Sequence, residues 1–121
     1  MNNIGTFMER LRTNPETIQF AEVIALIDTH YSHTPTAFVN GTATNQASEN
    51  QGSAKVFSFA KLQDLNQIET LHCFAEHFRA VSDNPTGNDH QNIRQFIANG
   101  WQGVQLPDTC LTPKNSAQST V

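Results

Sequence analysis

The sequence predicts a mainly α, compact single domain of four or five helices with a long ordered loop and, around 37–39, a candidate small two-stranded β element. Three observations lead there. Apolar residues recur at helical spacing over much of the chain. Asparagine, proline and glycine stand where helices begin and end. The stretch 34-TPTAFVNGTATNQASENQGSAK-55 has no sustained period at all.

The first helix spans residues 4–12, with Ile4, Phe7, Met8 and Leu11 on one face. Asn14-Pro15-Glu16 reads as a cap, a proline in the first helical position and an acid in the first turn. The second helix then runs to about Tyr31. Its stripe is Phe20, Val23, Ile24, Ile27 and Tyr31, while Ile18, Ala25 and Leu26 fall off it. A helix apolar on more than one side is central.

From 32 to 55 the chain reads as a long loop, with a short strand at Ala37-Phe38-Val39 ahead of an Asn40-Gly41 turn. Ordered loops of that length tend to be functional. Residues 56–63, VFSFAKLQ, fit a strand through Phe57 and Phe59, and a helix through Val56, Phe59 and Ala60. The helix is preferred, with Ser53 as its cap. Asn66 with Glu69 forms a capping box. The helix after it buries Ile68, Leu71, Phe74, Ala75 and Phe78. Asn84-Pro85-Thr86-Gly87 is a turn. The last helix covers 90–98: Asp89 caps it, Ile93, Phe96 and Ile97 pack inward with Trp101 beyond, and Asn99-Gly100 ends it. The domain is expected over 1–106, with 107–121 a mobile tail.

Composition narrows the function. A chain of 121 residues holds one domain, and eight phenylalanines supply much of its core. The net charge of -4 and the lack of any Lys/Arg run argue against nucleic acid. No apolar stretch is long enough to span a membrane, and the start of the chain lacks a signal-peptide pattern. Cys73 and Cys110 form neither a disulfide framework nor a CxxC site. His30 and His33 could share an ion, but spacing fixes no third ligand, so no metal is expected. Cys73, with His72 and His77 near it in sequence, lacks an oriented triad.

What remains is a polar constellation. The loop offers Asn40, Asn50, Ser53 and Lys55; the last helix offers His90, Asn92 and Arg94. Together they could line a pocket for a small anionic or carbonyl ligand, with His90 as the acid or base because an imidazole titrates near neutrality. The plain structural alternative is that these groups cap helices and satisfy loop backbone.

The stretches 31-YSHTPTAFVNG-41, 50-NQGSAKVFSFAKLQ-63, 70-TLHCFAEHFR-79 and 84-NPTGNDHQNIRQFIANGWQGV-104 resemble the HopJ family of type III effector proteins, over residues 5–106. The resemblance implies a small bacterial protein without an established enzymatic activity or cofactor. It implies a non-enzymatic binding role toward an unknown protein or small-molecule partner. Its location would be the bacterial cytoplasm, or a host cell if exported. The family pattern has a cysteine between the serine and lysine of GSxK. This chain has Ala54 there, which argues against an essential thiol at that position.

Overall fold

The computed structural model describes residues 3–114. Among them the chain is a mainly helical single domain of six α-helices with a two-stranded and a three-stranded antiparallel sheet.

Helix α1 (Ile4–Thr13) starts where the Asn3 side chain accepts from the Thr6 N–H at 3.1 Å, and it buries Phe7 and Leu11. The start expected at Asn14-Pro15 is instead a single 3-10 turn, Pro15–Thr17, after which Ile18 is extended and buried. Helix α2 (Phe20–His30) begins afresh, the Gln19 N–H donating to the Glu22 carboxylate at 2.9 Å. Arg10 explains the break. Its guanidinium donates to the Thr17 carbonyl at 2.5 Å and to both Glu22 oxygens at 2.8 and 3.0 Å, fastening the turn between α1 and α2. Leu26, off the expected stripe, is buried with Val23 and Ile27, but Ala25 is exposed and Ile24 half-buried, so α2 buries one face and is not the all-round central helix expected.

The 32–55 region is not one irregular loop. Strand β1 (Tyr31–His33) pairs with β5 (Leu111–Pro113). Strands β2 (Phe38–Asn40) and β3 (Ala43–Asn45) make a hairpin, and β4 (Val104–Gln105) joins the other edge of β2. Gly41 turns the hairpin at φ 60°, and a Cβ there would collide with the Gln95 and Asn99 side chains. The expected two-stranded element is thus a three-stranded sheet, with a second sheet beside it.

Residues 56–63 are resolved in favour of the helix. Helix α3 (Gln51–Leu62) begins after Asn50, so Ser53 lies inside its first turn and is not its cap. It buries Ala54 and every residue from Val56 to Ala60. Phe57 lies at the middle of the core, with ring centroids 5.1 Å from Phe96, 5.4 Å from Phe74 and 6.1 Å from Trp101.

Helix α4 (Gln67–Cys73) carries the capping box: the Glu69 N–H donates to Asn66 Oδ1 at 2.9 Å and the Asn66 N–H to Glu69 Oε1 at 3.1 Å. The helix expected to continue through Phe78 stops short. Ala75 adopts φ 56°, and α5 (Glu76–Asp83) sets off in a new direction. Ile68, expected inside, is half exposed. Helix α6 (Gln91–Asn99) ends at Gly100 with φ 62° and buries Ile93 and Phe96, but Ile97 is exposed. Its N-cap is His90 at φ 51°, not Asp89; the Asp89 carboxylate is taken instead by Arg94 at 2.6 Å. Trp101 packs on Phe96 at 5.1 Å and donates its indole N–H to the Leu65 carbonyl at 3.1 Å.

The stretch from 107 is expected from the sequence to be a tail. Residues 107–114 instead belong to the fold, with Cys110 and Leu111 buried and β5 closing the sheet with β1. Residues 115–121 lie outside the described residues. No helix among the described residues is long and apolar enough to cross a membrane.

Candidate functional site

A cleft of about 750 Å³ opens where distant parts of the chain meet. Phe20 at the start of α2 and Phe74 at the end of α4 form its apolar floor, their rings stacked at 6.3 Å and 12°. Strand β3 (Ala43–Asn45), Glu49 and Asn50 after it, and Gly52 and Ser53 in the first turn of α3 form one wall. His77 of α5 and the segment from His90 to Ile93 form the other.

The two imidazoles face each other. The ring centroids of His77 and His90 are 5.1 Å apart with the planes inclined by 35°. His77 also meets Phe20 edge to face at 4.8 Å. His90, expected as the first residue of the helix over 90–98, stands ahead of it as the N-cap. The left-handed turn at its own backbone swings it off the helix face toward the cleft.

Beneath the wall lies a buried asparagine network. The Asn92 amide donates to Asn45 Oδ1 at 3.0 Å, and the Asn45 amide returns to Asn92 Oδ1 at 3.3 Å. Asn40 donates to the Asn92 carbonyl at 2.7 Å and to its Oδ1 at 3.2 Å. Asn50 donates to Asn45 Oδ1 at 2.7 Å. Amide groups removed from water need such partners, and this set binds the β2–β3 hairpin to the starts of α3 and α6.

Both of those helix starts lack a capping side chain. Asn50 and His90 occupy the N-cap positions in the left-handed conformation, and neither side chain covers the first turn. Free N–H groups at a helix start carry partial positive charge. Two nearby carboxylates are held in their charged form. At Glu76, burial pushes the carboxyl up but is outweighed by the Phe20 N–H at 2.7 Å, its own N–H and the neighbouring His77 and Arg79, so it lies below its usual range. Asp89 is held low chiefly by its hydrogen bond from Arg94.

Of the residues singled out in the sequence, Asn50, Ser53, His90 and Asn92 line the cleft. Asn92 does so with its amide already committed to Asn45. Asn40 sits behind the wall, fully buried, and steadies Asn92. Lys55 is not at the cleft: it pairs with Asp28 at 2.8 Å. Nor is Arg94, which donates to the carbonyls of Asp89, Asn84 and Pro85 and so holds the 84–89 turn together. It borders a different groove of about 530 Å³, lined also by Ile68, Phe78 and Ile97.

Sequence reasoning missed His77, Phe20, Asn45 and Glu49. His77 reaches the cleft only because the helix breaks at Ala75, and nothing in 73-CFAEH-77 marks a break. A Cys73 nucleophile is ruled out by its setting: the thiol is buried, and burial pushes it up to about 12. His33 is engaged by Gln51 Oε1 at 3.0 Å, and no group of three or more metal-ligating side chains is found among the described residues.

The crystal structure of VPA0580, a protein of unknown function, superposes with a TM-score of 0.88 at 42% identity, covering 93% of this chain and 94% of that one. No curated protein matches. The family model for the HopJ type III effector protein matches residues 4–111. With close to its whole domain matched, the chain belongs to the HopJ type III effector family.

Proposed function

We propose that this protein is a non-enzymatic binding protein that holds a small anionic or carbonyl-bearing molecule in the cleft between β3, α3, α5 and α6. The observation that carries the reading is the convergence of Asn50 and Ser53, at the start of α3, with His90 and Asn92, at the start of α6, on one solvent-reachable cavity. Ligand sites are commonly concave, with an apolar floor and a few convergent polar groups. Phe20 and Phe74 supply the floor. Ser53 offers a hydroxyl, His90 an imidazole that can donate to a ligand oxygen, and the uncapped first turns of α3 and α6 offer backbone N–H groups. Asn92 and Asn40 hold that wall in place.

A thermal-shift panel of sulfate, phosphate, small carboxylates and neutral amides tests this. At least one class should raise the melting temperature of the native chain, and the rise should vanish when the cleft is filled by Ser53→Leu. If no class shifts the melting point, or the shift survives in the filled variant, the reading falls. The family description extends the proposal to export into a host cell. A secretion assay in a type III-competent strain addresses that part alone, and absence of export would remove it while leaving the cleft in play.

A further inference from the structure

Resting on the cleft reading above, we propose that the molecule bound there is a small dianionic oxyanion, of the phosphate, sulfate or dicarboxylate class, and that its binding draws a proton from solvent onto the His77–His90 pair.

The charges that surround the two rings are already engaged or negative. No lysine or arginine lines the cleft. The cations near it are spent elsewhere: Arg94 on Asp89 at 2.6 Å, Lys55 on Asp28 at 2.8 Å, and Arg79 on the Ile18 carbonyl at 3.2 Å. The carboxylates near it are Glu49 on the α3 side, Glu76 at the start of α5 and Asp89 ahead of α6. Glu49 accepts from the Gln46 N–H at 3.0 Å and Glu76 from the Phe20 N–H at 2.7 Å, while Asp89 takes Arg94. On α2, Phe20 faces His77, and Glu22 is occupied by Arg10. Among the described residues, the only side chains lining the cleft that can become positive are therefore His77 and His90.

Neither imidazole is fixed by a protein hydrogen bond among the described residues; the nearest acid oxygen, Asp89 Oδ2, is 4.0 Å from His90 Nε2. Their N–H groups are thus available to a ligand. Two imidazolium charges with centroids 5.1 Å apart repel, and the repulsion is relieved when a dianion lies against both. Anion binding and protonation of the pair must then favour each other equally, by linkage.

Sulfate is the suitable probe, because its own charge is constant across neutral pH. Calorimetric titration of the native chain at pH 5.5, 6.5 and 7.5 should show the sulfate Kd weakening as pH rises, by up to about tenfold per pH unit for each proton taken up on binding. Repeating the titration in buffers of different ionisation enthalpy should show net proton uptake. His77→Gln and His90→Asn should each flatten the pH slope, asparagine being chosen because it tolerates the left-handed backbone at 90. Melting curves without sulfate establish that each variant is folded. A sulfate affinity independent of pH, or a slope that survives in both variants, overturns the inference. So does a result in which only neutral amides bind, although the cleft reading then stands. If neither sulfate nor any neutral compound binds, both readings fall.

Discussion

Asn45 and Asn92 exchange hydrogen bonds in both directions, 3.0 Å one way and 3.3 Å the other, with both side chains buried. They lie on β3 and α6, so this amide pair sets the distance between the hairpin and the start of the last helix. Asn40 Oδ1 beside it is buried without a partner among the described residues, so the network has no slack. Asn92→Ala would strip partners from both Asn45 and Asn40. It is expected to cost about 2–3 kcal/mol by urea denaturation, and Asn45→Ala a similar amount. Because the residues share bonds, the double variant should lose clearly less than the sum. Additive losses would show that the pair is not coupled.

Ala75 turns the chain between α4 and α5 at φ 56° and ψ -124°, a conformation that glycine adopts without strain. Ala75→Gly should therefore be close to neutral, relief of strain offsetting the lost methyl contact. Ala75→Val should lose about 3 kcal/mol, since a β-branched side chain fits neither the backbone nor the buried site. Equal losses in both variants would mean that the turn is not strained. Because the turn also aims His77, the Ala75→Val substitution should weaken any ligand effect in the cleft in parallel.

Stability should fall on acidification. The Glu22 carboxyl is held below its ordinary 4.5 first by the hydrogen bond from Arg10 and then by the Gln19 N–H. Glu69 is held below the same value by the Asn66 N–H and then by Arg12. Depressed carboxyls contribute stability that is complete above the unfolded value and is lost as pH falls through the folded one. His72 is depressed from 6.5, chiefly by burial and then by Arg79, and works in the same direction, since protonating it opposes folding. Melting temperature should decline gently below about pH 6.5 and more steeply below about pH 4.5. Glu69→Gln should lessen the lower part of that decline. A melting temperature that is flat or rises between pH 7 and pH 3 would contradict the sign.

Both cysteines should resist thiol reagents in the native protein. Cys73 is buried with its thiol pushed up to about 12, and buried Cys110 directs its Sγ toward the Ala54 carbonyl at 3.8 Å. Labelling by an aromatic disulfide at pH 8 should be at least about a hundredfold slower than in denaturant, because it has to wait for local opening. Prompt labelling of either thiol would show that the structure around it opens readily.

Most of the helices are legible in the sequence because they announce themselves locally. The Asn66–Glu69 capping box, the Gly100 stop and the spacing of Ile93 and Phe96 behave as their neighbours in sequence require. Errors arise where a local signal is overruled from a distance. Pro15 is a sound helix start, yet Arg10 draws the next residues into a turn of their own. Asp89 is a sound cap, yet Arg94 claims its carboxylate and leaves the position to His90. Ile68 and Ile97 sit at helical spacing but beside an open groove. At the site, proximity of the 40–55 region to the start of the last helix is legible. Which of its polar groups face outward is not: Lys55 and Arg94 find partners nearer to hand.

The sequence alone determined the helical class, much of the apolar packing, the capping box at Asn66, the stop at Gly100 and the family, because spacing, capping chemistry and motif are properties of adjacent residues. Tertiary structure decided the break at Ala75, the left-handed entries at Asn50 and His90, and the meeting of His77 with His90. Each of these depends on where a competing partner or a packed ring lies in space, and residues separated along the chain carry no record of that distance.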